Sequence, residues 1–237
     1  VKLTNEGLIF LNDARNIVGI SKRAIRRFES PDEGRLHFLS LGSYNLPNFL
    51  YIAPILNHLN HDINNFRPIL RFVPFGQIFR LLIDGDLDII LGFKENDTLN
   101  YKVNYLELTK VNIVCVMSKD NPLSVLKEVS LADLKKESVV LCGPNSQRQD
   151  ATHLHSVIGE DKPVSKICYA ENIEALITLI KAGLGISVLP DNLVSEEFNL
   201  CKIPLKNTKK LSFGIYYKSI NDNPLIKNFI DLAKELL

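Results

Sequence analysis

No apolar run in the 237 residues approaches the roughly 18 that a membrane span requires. Acids and amides interrupt the first amphipathic stretch where a secretory signal would need an unbroken apolar core. The expected compartment is the cytoplasm. A charge of one sign is missing as well, since 28 Lys and Arg face 27 Asp and Glu for a net +1. No global field therefore advertises nucleic acid or repels it. Cysteine is scarce: Cys115, Cys142, Cys168 and Cys201 each stand alone in apolar surroundings, with no C-x-x-C and no histidine at ligand spacing. They read as buried thiols in a reducing compartment, with a redox role for Cys142, at the end of its strand, as the alternative. Methionine occurs once, at Met117, and the chain opens on Val1. That start reads as an interior junction of a longer protein.

Signatures of catalysis are absent too. There is no phosphate-binding loop, no nucleophile elbow and no G-x-G-x-x-G, so neither a cofactor nor an enzyme is expected. His58 and His61 lie three apart beside Asp62, which an exposed polar helix face explains better than a metal. His153 and His155 form H-x-H, a spacing that points the two rings apart on a helix.

The organisation lies in the periodicities. Thr4 is placed to cap a helix running to about Phe28, along which Leu11, Ala14, Val18, Ser21, Ile25 and Phe28 recur at intervals of 3, 4, 3, 4 and 3. Such a seam needs a partner helix. A second copy of the chain is the simplest, and folding back on its own domain is the alternative. Residues 1–29 carry net +3, leaving −2 for the rest, so this helix is the basic part. "ESPDEG" (29–34) breaks it with proline and glycine.

From Arg35 onward short apolar runs alternate with helical ones, which is the pattern of an α/β fold built on parallel sheet. Strands are expected in "RLHFLSLG", "ILRFV", "DIILG", "VNIVCVMS", "SVVLCG", "VSKICYA", "ISVLP", "FNLCKIP" and "KLSFGIYY". Helices are expected over 47–61, 76–84, 131–136 (with Ser130 and Asp133 as a capping pair) and 172–182. A last amphipathic helix closes the chain, and Gly85 and Gly183 serve as left-handed caps.

In an open sheet a ligand sits beyond the carboxyl ends of the strands, where helices begin. The loops 41–47, 74–77 and 142–148, with 170–172 as a fourth, are therefore the candidate cleft. Helix N-termini present free N–H groups and a partial positive charge, so the expected ligand is an anion. Ser43, Tyr44 and Asn45 offer polar groups after the first strand, and Gly76 and Gln77 open the second loop. Gly143, Asn145 and Ser146 offer donors in the third, and Arg148 is the fixed positive charge. Asn172 completes the set. Ser43, Ser146 and Asn172 serve equally as simple N-caps, and Arg148 can instead point outward and pair with Asp150.

Three stretches together resemble the LysR-type transcriptional regulators: "LTNEGLIFLNDARNIV", "LIDGDLDIILG" and "LIKAGLGISVLP", in order and spread over nearly all of the chain. The resemblance implies a long linker helix followed by a two-lobed effector domain of the periplasmic-binding-protein type 2 class. It places the linker at 1–29, a hinge at 30–34, lobe I at 35–108 with 214–237, and lobe II at 109–213. It also implies a small effector (an organic acid, an amino-acid derivative or an inorganic anion), a homodimer or homotetramer, and DNA contact only through a winged helix-turn-helix that is absent from this sequence. Ser146 stands where peroxide-sensing members carry a cysteine, so a disulfide switch of that kind is not expected. A solute-binding protein of a transporter is the alternative on the same fold.

Overall fold

The computed structural model describes residues 4–26, 36–95, 102–142 and 155–236. Helix α1 (Asn5–Arg26) opens where the sequence places its cap, the Thr4 hydroxyl accepting the Gly7 N–H at 3.1 Å. The hinge at 30–34 and Phe28 lie outside the described residues.

The first half runs through β1 (His37–Ser43), α2 (Leu46–Tyr51), α3 (Ala53–Asp62), β2 (Phe66–Phe72), α4 (Phe75–Ile83), β3 (Ile89–Phe93) and β4 (Asn104–Val111). The single helix expected over 47–61 is split at Ile52. Pro54 has no N–H for the Leu50 carbonyl and its ring crowds that oxygen, so a new helix starts with proline in its first turn. The second half holds β5 (Ile113–Met117), α5 (Leu131–Leu134), β6 (Val139–Cys142), a helical stretch α6 at residues 155–159, β7 (Ile167–Ala170), α7 (Ile173–Lys181), β8 (Ser187–Pro190) and β9 (Cys201–Pro204). The chain then returns through β10 (Leu211–Tyr217) and α8 (Pro224–Leu236) to the first half.

The five-stranded sheet has the order β2-β1-β3-β10-β4, with β1 parallel to β2 and β3 and with β10 antiparallel to β3 and β4. In the second half β5 lies antiparallel between β8 and β9, while β6 and β7 are parallel. A parallel bridge between Val139 and Ile186 ties β6 to the approach to β8. Against the expected parallel sheet, the three-stranded sheet is antiparallel and the five-stranded one is mixed. In the latter the reason is connectivity: β4 leads out of the first half and β10 leads back, and two connections running opposite ways pair antiparallel. Both belong to the first sheet along their whole length, so the chain changes sheet at Asn112 and between residues 204 and 211.

Apolar faces explain the packing. Leu39, Leu41, Ile55, Leu59, Phe229 and their neighbours form one core, where α3 and α8 cover the sheet. On α4, Ile78, Phe79 and Leu82 pack with Ile90 and Tyr216 in another. In the second half Leu176, Ile177 and Ile180 of α7 bury against Val114, Val116 and Val140. Each such side chain contributes about 1.5–3 kcal/mol when fully buried. Strand β2 departs from the expected buried run: Phe66 is buried, but Leu70 and Phe72 are exposed, because β2 is a sheet edge. Gly85 and Gly183 do take left-handed φ values, +76° and +77°. The next amides, of Asp86 and Leu184, reach back to the Leu81 and Leu179 carbonyls and close both helix ends.

Candidate functional site

The first loop is knitted together by Ser43. Its hydroxyl accepts the Asn45 N–H at 3.3 Å and the Asn48 Nδ2–H at 3.0 Å and donates to the Asn45 carbonyl at 3.2 Å. Ser43 is fully buried. Asn45 caps α2 by accepting the Asn48 N–H at 3.1 Å. Asn48, which sequence reasoning passed over, is also fully buried and donates to the Leu91 carbonyl at 3.3 Å. The two sequence candidates therefore shape this loop from within, while the ring of half-buried Tyr44 packs beside Gly92 and the α4 core.

The second loop meets the first through an edge-on contact of Tyr44 with Phe75, ring centroids 5.7 Å apart. Gly76 and Gln77 lie exposed in the first turn of α4, with the Gln77 N–H given to the Pro74 carbonyl. Behind them Phe75, Phe79 and Tyr216 follow one another edge to face. The Tyr216 hydroxyl accepts the Glu95 N–H at 2.6 Å and donates to the Phe93 carbonyl at 3.0 Å. Burial raises the Tyr216 phenol and pushes that of Tyr105 up to about 12. Both hydroxyls stay protonated at neutral pH; that of Tyr216 is a fixed donor, and that of Tyr105 shares a 2.9 Å hydrogen bond with the Ser212 hydroxyl.

Beyond β7, Asn172 caps α7 through a 2.8 Å bond from the Ala175 N–H. In the first turn of α7, the carboxylate of Glu174 crosses to the first half and accepts the Leu46 N–H at 3.2 Å. So the loops after β1, β2 and β7 come together, at the carboxyl ends of their strands and the start of α2, α4 and α7. Gly143, Asn145, Ser146 and Arg148 of the third loop lie outside the described residues. The strand that feeds that loop is pinned at Cys142, whose N–H is given to His155 Nδ1 at 3.0 Å.

Besides Asn48, sequence reasoning missed the contacts that Glu174 and His155 make. An acid in the first turn of a helix is a familiar signal, and Glu174 carried it. The H-x-H pattern marked His155 but not its partners, which lie 13 and 33 residues away.

On α1, Leu11 and Ala14 are half-buried, and Val18 and Ile25 are exposed at 50% and 48%. Phe10, Ile17 and Ile20 are also exposed, so the uncovered apolar face is broader than the heptad alone. All four cysteines are free thiols, and burial pushes the Cys115 thiol up to about 12. An open depression of about 400 Å³ near β9 is lined by Lys119, Ser124, Glu196, Leu200, Cys201 and Lys202. Both lysines are engaged there, Lys119 with Asn199 and Lys202 with Asp191 and Glu196. Among the described residues no cluster of His, Cys, Asp or Glu is suited to a metal, and no helix is long and apolar enough to cross a membrane.

Residues 32–237 match the family model of the LysR substrate binding domain. An uncharacterized HTH-type transcriptional regulator of Escherichia coli, YnfL, is 25% identical over 97% of this chain and 78% of its own length. AlsR, an HTH-type transcriptional regulator of Bacillus subtilis, is 23% identical over 98% of this chain and 78% of its own. Among solved structures, full-length CbnR in complex with its target DNA superposes with a TM-score of 0.76 at 16% identity, over 99% of this chain and 82% of that one. The BenM effector binding domain with its effector benzoate gives 0.66 at 19% identity, over 84% of this chain and 91% of that one. These likenesses carry the two-lobed type 2 periplasmic-binding-protein fold. With nearly the whole body of the chain covered by the family model, this protein belongs to the LysR-type transcriptional regulators and carries their substrate-binding domain.

Proposed function

We propose that the two halves are lobe I (35–108 with 214–237) and lobe II (109–213) of a ligand sensor, and that a small anionic effector binds between them. The convergence of the β1, β2 and β7 loops carries this reading, because the carboxyl ends of three strands and the starts of three helices then face one space, where an open sheet takes its ligand. Tyr44 and Gln77 supply donors from lobe I, Asn172 lies on the lobe II rim, and Ser146 and Arg148 supply the hydroxyl and the positive charge. The chain performs no catalysis. Ligand binding changes how the lobes sit, and α1, paired with the same helix of a second copy through Leu11, Ala14, Val18, Ile25 and Phe28, passes the change to a DNA-reading domain. The setting is cytoplasmic and the assembly a homodimer or homotetramer. A ligand shifts such an equilibrium only through unequal affinity for its two states.

A thermal-shift screen of organic acids, amino acids and inorganic anions, with benzoate included because BenM binds it, tests this directly. A stabilising acid should lose at least tenfold in calorimetric affinity in Arg148→Gln and in Ser146→Ala. Affinity unchanged in both variants removes the third loop from the site. A cationic or neutral hit in place of acids overturns the charge assignment.

A further inference from the structure

We propose that Glu174 is an interlobe latch: from the second half of the molecule its carboxylate takes the Leu46 backbone N–H of the first half and holds the two halves closed. The bond is 3.2 Å long and joins residues 128 apart in sequence. It meets a need that the local sequence leaves open. A helix start has N–H groups without intrahelical partners. In α2, Pro47 has no N–H and the Asn48 N–H is taken by the Asn45 side chain, so the Leu46 N–H is served by Glu174 from the other half.

The seam beside this bond is poorly matched without it. Helix α2 lies against the 3-10 turn Asp191–Leu193 of the second half. In that turn both carboxamide atoms of Asn192 are shielded from solvent and bond to nothing. A shielded amide without partners disfavours the closed seam, since parting the halves lets water satisfy it. Closure is therefore opposed by Asn192, whose turn meets α2, and favoured by Glu174. Two opposing polar contributions on one seam make a balance that a single bond can tip.

The inference takes its meaning from the ligand-sensing cleft proposed above, yet its test uses no ligand. Fluorophores introduced at the exposed positions Asp62 and Lys181, one in each half, report the separation by single-molecule energy transfer. Glu174→Ala should raise the ratio of open to closed molecules about fivefold, the worth of one typical net hydrogen bond at an exposed position. Glu174→Gln keeps an acceptor oxygen and should return most of the closed population. Leu46→Pro deletes the donor from the other side; proline is tolerated at a first helical position, and the extended backbone of Asn45 (φ −149°, ψ 155°) suits a following proline. It should open the molecule as Glu174→Ala does, and the double variant should open it no further. Superimposable distributions for the wild type, Glu174→Ala and Leu46→Pro overturn the latch. A failed effector screen leaves this outcome untouched, and a failed latch leaves the effector screen to be judged on its own.

Discussion

His155 and Cys142 are joined by a bond whose direction fixes the state of the imidazole. The Cys142 N–H can only donate, so Nδ1, 3.0 Å away, is the bare nitrogen, and Nε2 carries the proton given to the Val188 carbonyl at 3.0 Å. The ring thus clamps the end of β6, where the third loop departs, to β8. His155 is only 3% exposed, and burial lowers its pKa from the ordinary 6.5. The unfolded chain then takes up the proton more readily than the folded one. The stabilisation from neutral His155 is complete above about pH 6.5 and is lost as pH falls from there toward the lowered folded value. Thermal melts should drop between pH 7.5 and 5.5, and the drop should be smaller in His155→Gln. An equal drop in the two proteins would assign the acid sensitivity to other groups. At pH 7.5 His155→Ala should cost about 3 kcal/mol in urea melts, since a shielded N–H and a carbonyl both lose their partner.

Ser43 invites a similar test with a different signature. Its hydroxyl serves three bonds inside the first loop and sees no solvent. Ser43→Ala should therefore lower stability by about 1–3 kcal/mol, the range for stranding buried polar partners. Effector affinity should fall with it, because the start of α2 loses its fixed position. Full affinity alongside the stability loss would make Ser43 purely architectural.

Much of this arrangement was legible where the signal is local. Thr4, Asn172, Ser130 with Asp133, Gly85 and Gly183 act within four residues of themselves, and each stands where the pattern places it. Tyr44 and Phe75 meet because the carboxyl ends of β1 and β2 are neighbours in a parallel pair, which the alternation of strands and helices implies. Strand direction is different. The antiparallel run of β10 depends on which half the chain has just left, and no apolar pattern encodes it. The clamp by His155 and the reach of Glu174 to Leu46 both span long sequence separations and could be seen only once the elements were docked.

Gly214 sits where β10 and β4 slip register, between Phe213 and Gly214. A methyl group there would run into the Leu106 carbonyl oxygen, a backbone atom with no room to yield. Gly214→Ala should therefore cost at least about 3 kcal/mol, near the upper end for overpacking. Backbone amide exchange of β4 should rise with it. A loss below about 1 kcal/mol would mean that the two strands part easily at this point.

The apolar face of α1 sets the last expectation. Phe10, Ile17, Val18, Ile20 and Ile25 are all about half exposed or more. No side chain of α1 belongs to any of the apolar cores among the described residues. Contiguous apolar surface of this kind marks an interaction site, and a second α1 offers a matching one. Val18 and Ile25 lie seven apart on one seam, and Phe10 and Ile17 seven apart on the next. A pair of helices can bury both. Val18→Glu and Ile17→Glu each place an acid in that seam, where an unpaired charge opposes burial. Light scattering at tens of micromolar should show a dimer or larger for the wild type and a shift toward monomer for either variant. The fold of the body should persist, since these side chains touch none of its cores. A wild-type monomer at that concentration would argue against the pairing. An unchanged dimer in both variants would move the interface off α1 and onto the body, where the exposed edge strand β2 with Leu70 and Phe72 is the next apolar surface available.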